Sequence, residues 1–163
     1  MKRREFITLL GGAAAWPIAA RAQQGQRMRR IGVLTYLAAA DPDLPPRVTA
    51  FSQGLQELGW IDGRNLRIEY RFGAGNTDRY RDYAAELISL GPDVIFVSSG
   101  SALTAVQKTT RTVPIVFVNV SDPVGAGYVA SLARPGANTT GFTLFEYSIG
   151  ENGWSCSNSW CPA

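Results

Sequence analysis

Histidine is absent from this chain of 163 residues, and cysteine and methionine occur only twice each. Without an imidazole, histidine general bases, histidine-activated nucleophiles and histidine-bearing zinc sites are excluded. Both cysteines, Cys156 and Cys161, lie in the last eight residues, so no thiol serves the body of the chain. Their four intervening residues fit no strong zinc pattern. A P-loop is missing, and no G-x-G-x-x-G follows the first strand, which removes the usual phosphate and dinucleotide cradles. These absences point away from catalysis and cofactors; no cofactor and no metal are expected.

Charge of one sign is also scarce once the N-terminus is set aside. The formal charge is +3, but Lys2, Arg3, Arg4 and Arg21 stand against Glu5 alone in the first 22 residues, and the remainder holds twelve basic and twelve acidic residues. A nucleic-acid partner would leave a basic footprint, and none remains. The first 22 residues carry an address. Arg3-Arg4-Glu5-Phe6-Ile7 has the form of a twin-arginine export motif, Leu9 to Ala15 forms a mild apolar region, and Ala20-Arg21-Ala22 supplies an A-x-A cleavage site. Export to the periplasm with cleavage after Ala22 is the expectation. The apolar stretch is too short to span a bilayer, and no membrane span is expected in the mature chain.

Residues 23–29 read as a polar linker, and residues 30–150 as an α/β lobe. Arg30 to Leu37 is the first strand. A helix follows with Val48, Phe51, Leu55 and Leu58 on one face and Gly59 as its stop. Leu66 to Phe72 alternates strictly, with Leu66, Ile68, Tyr70 and Phe72 inward and Arg67 and Arg71 on a wet face, which marks an edge strand. A second helix starts at Thr77-Asp78 and turns Tyr80, Tyr83, Leu87 and Ile88 inward, ending at Gly91-Pro92. Val94 to Val97 is an unbroken apolar run, the mark of a central strand buried on both faces, and a helix bearing Leu103 and Val106 follows it. Val113 to Val118 is a fourth strand, Val124 to Leu132 a short helix, and Thr139 to Phe145 a fifth strand. This alternation predicts a doubly wound five-stranded parallel sheet of order 2-1-3-4-5 with right-handed crossovers.

In such a sheet ligands bind beyond the strand C-termini where the winding reverses, here between the first and third strands. The lip there is Thr35, Tyr36 and Leu37 on one side and Ser98, Ser99, Gly100, Ser101 and Ala102 on the other, with Asn119, Ser121 and Asp122 next along. Hydroxyls and amide N–H groups at a helix N-terminus suit a carboxylate. Tyr36 could pack an apolar side chain, and Asp122 could accept an ammonium group. Ser99 or Ser101 acting only as a helix cap is the alternative, as is Asp122 capping a helix that opens with Pro123.

Several segments occur together in order: the export signal; Gly32-Val33-Leu34-Thr35; Phe51-x-x-Gly54-Leu55-x-x-Leu58-Gly59; Gly63-x-Asn65-x-x-Ile68-Glu69-Tyr70-Arg71; Pro114-Ile115-Val116-Phe117; Asp122-Pro123-Val124; and Arg134-Pro135-Gly136-x-Asn138-x-Thr140-Gly141. In this combination, over Met1 to about Gly150, the chain resembles the substrate-binding proteins of ABC transporters in the TrpX-like group. The resemblance implies one lobe of a type I periplasmic binding protein. Its function would be to bind a small amino-acid-like solute for an ABC permease, with no enzymatic activity. An exported ligand-sensing domain for a signalling partner, or a small flavodoxin-like protein, are the alternatives. The family carries a second lobe that this chain does not, so truncation after the first lobe and impaired binding are expected.

From Glu151 to Ala163 apolar periodicity stops. In an exported protein Cys156 and Cys161 could pair in a small loop. A shifted reading frame is the preferred account. Read from the third base of the Gly150 codon, the codons allow x-Lys-Trp-Leu-Glu-Leu-Leu-Lys-Gln-Leu-Val-Pro-Gly, an amphipathic helix. Where the serines are AGY, the code itself imposes leucines across Ser155–Cys156 and Ser159–Trp160, and it imposes a valine across Trp160–Cys161. One base lost from Gly-Gly-Lys-Trp turns it into Gly-Glu-Asn-Gly. Residues 151–163 are then a non-native, disordered tail. Resequencing the gene across the Gly150 codon is expected to recover the missing base; transcript reads that support the present frame would refute the shift.

Overall fold

The computed structural model describes residues 27–144; the export signal and the tail beyond residue 150 lie outside the described residues. The elements are β1 (Arg29–Thr35), α1 (Leu44–Glu57), β2 (Leu66–Phe72), α2 (Thr77–Ser89), β3 (Val94–Val97), α3 (Gly100–Thr109), β4 (Ile115–Val120) and β5 (Thr139–Thr143). All four pairings are parallel, in the order β2-β1-β3-β4-β5. The expected topology is therefore the observed one.

Winding reverses at β1. From β1 the chain crosses to the edge strand β2 through α1, then returns over the sheet through α2 to β3 and continues through α3 to β4. Right-handed crossovers put α1 on one face and α2 and α3 on the other. The α2–α3 face is the close-packed one. Leu34, Ile95, Val97, Ile115 and Phe117 from the strands meet Tyr80, Ala84 and Leu87 of α2 and Ala102, Leu103 and Val106 of α3, all essentially without solvent exposure. Gly73, at the end of β2, is required there: a Cβ on it would lie 2.1 Å from the Tyr80 ring.

The α1 face is different. No residue of α1 is buried. Its apolar side stands over Val33, Tyr70 and Phe96 with a gap between, and the tilted Phe51–Phe96 ring pair, 5.1 Å between centroids, is the aromatic contact that bridges it. β3 accordingly alternates, with Ile95 and Val97 buried but Val94 and Phe96 only half covered. The expectation of a strand buried on both faces holds for one face alone, because α1 does not close down on the other.

The segment from Val124 to Leu132 is not a helix. Asp122 caps a single turn, its Oδ1 accepting the Gly125 N–H at 2.7 Å and its carbonyl the Ala126 N–H at 3.1 Å, after which the Pro123 carbonyl accepts from both Tyr128 and Val129. Gly127 adopts φ +73°, a left-handed conformation that ends any helical run. Two glycines in four residues outweigh the apolar spacing of Tyr128, Val129 and Leu132. Strand ends also shift: β1 covers 29–35 rather than 30–37, and β4 covers 115–120 rather than 113–118. β4 carries a register irregularity between Phe117 and Val120.

At the opposite end of the sheet from the expected lip, Asp93 ties the start of β3 to the start of β1. Its carboxylate accepts from the Arg30 N–H at 2.9 Å and from Arg29 Nη1 at 2.8 Å. The Arg30 backbone bond, followed by the Arg29 side chain, holds the Asp93 pKa below its ordinary value. A depressed carboxylate stabilises the fold above its unfolded pKa of about 4, and this contribution disappears as pH falls through the lower folded value. In urea titrations, Asp93→Asn is expected to be less stable at neutral pH and to lose less stability than the parent below about pH 4. Leu103→Ala in the packed face is expected to cost about 2–5 kcal/mol, and Leu55→Ala on α1 about 1 kcal/mol or less, by the same measurement.

Candidate functional site

Parallel pairing of β1 with β3 places Leu34 beside Val97, so the next residues of both strands emerge together at the C-terminal edge. There the Ser98 hydroxyl donates to Thr35 Oγ1 at 3.0 Å, and it accepts from the Tyr36 N–H at 3.4 Å. Thr35 Oγ1 also accepts from the Leu37 N–H at 3.3 Å. A threonine hydroxyl has one proton. Both of these contacts use Thr35 as acceptor, so its own O–H is left to donate. Ser98 has already spent its proton on Thr35.

The loop after β2 braces this edge from the other side. Gly73 N–H donates to the Thr35 carbonyl at 2.9 Å, Gly75 N–H to that of Tyr36 at 3.1 Å, and Ala74 N–H to that of Leu37 at 3.4 Å. Ala74 sits at φ +51° and Gly75 at φ +71° to make these bonds. Asn76 then caps α2, its side chain accepting from the Asp78 and Arg79 N–H groups. The Gly-Ala-Gly-Asn stretch, Gly73 to Asn76, is the sequence signal for this brace.

Asn119 is the third element of the edge. It adopts φ +58° at the irregularity in β4, and its amide donates to the Ser98 carbonyl at 3.5 Å. Left-handed backbone in a residue other than glycine is stored strain of the kind found at ligand sites.

Thr35, Tyr36, Ser98 and Asn119 border an open cavity of about 180 Å³ between the sheet and α1. Its wall is apolar: Val33, Leu44, Val48, Phe51, Tyr70, Phe96 and Val118, with Leu37, and with Arg47 at the rim. Burial pushes the Tyr70 phenol above its ordinary pKa, opposed by the neighbouring Ser52 hydroxyl and reinforced by Asp62. The Tyr70 hydroxyl has no partner in good hydrogen-bond geometry. The wall residues on α1, β2 and β3 were missed as site residues, because apolar spacing reads the same whether a helix closes on a sheet or stands off it.

Of the remaining candidates, Ser99, Gly100, Ser101 and Ala102 lie at the start of α3 and Ser121 and Asp122 follow β4, and none of the six lines the cavity. Ser99 is the N-cap of α3, accepting from the Ala102 N–H at 3.2 Å. Ala102 is buried and its N–H is thereby engaged. The Gly100 carbonyl accepts from Thr104 and from the Tyr128 hydroxyl, at 3.0 and 3.1 Å, so Tyr128 pins the 122–129 turn to the helix start. Ser101 is exposed, as are Ser121 and Asp122, the last engaged with Gly125 in its turn. Arg67 pairs with Glu69 at 2.6 Å and Arg71 with Glu86 at 2.7 Å on the edge strand. Among the described residues no three His, Cys, Asp or Glu groups gather to hold a metal, and no helix is long and apolar enough to cross a membrane. The arrangement suits reversible binding of a small molecule through a polar lip and an apolar hollow.

A family model described as ABC transporter substrate binding protein matches residues 31–148. Over 100 residues the chain is 31% identical to a tyrosine-binding protein of Clostridioides difficile (strain R20291), covering 61% of this chain and 29% of that one. Among solved structures, the chain is similar to the ligand-free, open form of a substrate binding protein with adhesive properties from Clostridium difficile. Identity is 31% and the TM-score 0.65, over 72% of this chain and 39% of the other. An ABC domain from Streptococcus pneumonia in complex with L-Trp matches at 26% identity and TM-score 0.63, over 71% and 38%. The chain thus spans under two fifths of the length of each of these relatives, and it has the fold of one lobe of a periplasmic binding protein. Replacing Asn119 tests the strain at the edge: by thermal or urea denaturation, Asn119→Ala is expected to lose about 1–2 kcal/mol, and Asn119→Gly to stay within about 1 kcal/mol of the parent.

Proposed function

Since the chain belongs to the ABC transporter substrate binding protein family, we propose that it is the extracytoplasmic solute-binding component of an ABC importer. Its solute is a small carboxylate-bearing molecule such as an amino acid. The N-terminal signal carries it to the periplasm, where an ABC permease receives the solute. The observation that carries this reading is the meeting of Thr35, Tyr36, Ser98 and Asn119 at the C-terminal ends of β1, β3 and β4, around one cavity. The free Thr35 proton and the Ser99 and Ser101 hydroxyls hydrogen-bond the carboxylate, Asp122 and Ser121 face the ammonium group, and Tyr36 covers the side chain. Gly100 and Ala102 hold the helix start in place beneath them. The relatives named for tyrosine and for L-Trp support an amino acid as the solute class.

Solutes of a two-lobed binder are held because contact with both lobes stabilises the closed form. The lobe described here, taken alone, supplies about half of such contacts. A micromolar clamp corresponds to about −8.2 kcal/mol, and half of that to about −4.1 kcal/mol, which is millimolar binding. Calorimetric titration of the mature chain, residues 23–163, with L-tyrosine and L-tryptophan is expected to give millimolar dissociation constants. Thr35→Val is expected to weaken them about tenfold or more, as loss of a hydrogen bond to a charged group should. Micromolar binding would refute the half-clamp argument, and no response to any amino acid would refute the proposed solute class.

A further inference from the structure

The two edges of the sheet are built differently. Along β2 every second residue is charged, and the charges are tied down: Arg67 pairs with Glu69 at 2.6 Å and Arg71 with Glu86 at 2.7 Å. Charged side chains of this kind keep an edge strand from pairing with other chains. β5, at the other edge, reads Thr-Thr-Gly-Phe-Thr and has neither charge nor proline. From Pro123 to Leu144 the one charged residue is Arg134. Backbone geometry leaves this edge open. The Asn138 carbonyl accepts from the Ile115 N–H at 2.7 Å, and the Leu144 N–H donates to the Val120 carbonyl at 3.2 Å, so the even-numbered positions of β5 face β4. Thr139, Gly141 and Thr143 therefore turn their N–H and C=O groups outward, and among the described residues no strand pairs with them.

Apolar surface lies alongside the open edge. Phe142 is 72% exposed and Leu144 52%, and with Leu132 they line a hollow along the strand. Phe142 points to the α1 side of the sheet, because its neighbour Gly141 is paired with Phe117 of the packed side. We propose that the outer edge of β5 is a contact surface for a second copy of this chain, the two β5 strands pairing antiparallel about a two-fold axis between their Phe142 residues. An antiparallel pair is what a two-fold axis produces from a single edge, and a residue on the axis meets itself. Gly141 of each copy then exchanges backbone hydrogen bonds with Thr143 of the other. Phe142 meets Phe142 in the intervening, closer pair, where aromatic cross-strand contacts stabilise a sheet. Electrostatics permit the contact. Residues 23–163 carry twelve basic and twelve acidic groups, so two copies have no net repulsion, and the axis sends the two Arg134 residues to opposite ends of the joined strands. Assembly stops at two copies because the other edge of the sheet is the charged β2.

The test follows the mature chain by sedimentation velocity across a dilution series, with amide exchange read by NMR, under reducing conditions that keep Cys156 and Cys161 from linking copies. A monomer–dimer equilibrium is expected, with the Thr139, Gly141 and Thr143 amides protected at high concentration and released on dilution. Phe142→Lys sets two cations face to face on the axis and is expected to weaken association at least tenfold, and Phe142→Glu does the same with two anions. Mixing the two variants brings opposite charges together and is expected to restore a mixed dimer. Because Phe142 is exposed, neither change should alter the circular dichroism of the lobe; should one variant fold poorly, the other alone still gives the like-charge test. Thr35, Ser98 and Asn119 take no part in the contact, so failure here leaves the solute-binding reading standing. A chain that stays monomeric at every concentration would overturn the proposal, as would association that neither variant weakens. Outward amides protected equally at every dilution would show the chain's own residues covering the edge, and would also overturn it. A mixture of the two charged variants that stays monomeric would sink the two-fold pairing at Phe142.

Discussion

The pairing of β1 on both of its edges is the constraint on which the lobe depends. Val33 is registered with Tyr70 of β2 on one side and with Phe96 of β3 on the other. Side chains alternate along a strand, so this register decides at once which residues reach the helices and which reach the open face. Leu34 joins the core under α2 and α3, while Val33 and Thr35 face the cavity. A slip of one residue would bury the Thr35 hydroxyl in the core and turn Leu34 towards the cavity. The same register lets Ser98 reach Thr35, and the Gly73–Gly75 loop locks the backbone just beyond.

Unequal packing of the two faces follows from the helices rather than from the strands. α2 and α3 lie side by side and bury a continuous set of aliphatic and aromatic residues. Among the described residues α1 has the opposite face to itself and keeps all its residues at least partly exposed. The packed side gives the sheet its rigidity, while the loosely held side leaves room next to the hydroxylated edge.

Strand order, parallel pairing and the location of the switch point were legible before any coordinates, because they follow from period and connection rules. Leu66 to Phe72 alternates and is the edge strand; the β3 run is apolar and is central. The 122–132 segment was misread for a physical reason. Its apolar spacing is helical, and the Asp122 carboxylate takes the Gly125 N–H as an N-cap does, but Gly125 and Gly127 are poor helix formers and the left-handed Gly127 ends the run after one turn. Asparagine is the non-glycine residue best suited to left-handed backbone, but that Asn119 adopts it follows from the register break against β5.

What the chain settles locally is the set of elements, their order and the polar character of the edge at Thr35, Ser98 and Asn119. These rest on periodicity, capping residues and handedness, all of which act over short stretches. Which hydroxyl keeps a proton to offer, and whether α1 closes on the sheet or leaves a hollow, was decided only when distant segments met. A hydrogen bond such as Ser98 to Thr35 spans 63 positions, and the gap under α1 is a matter of distance between faces. Neither quantity is encoded in the spacing of residues along one strand or helix.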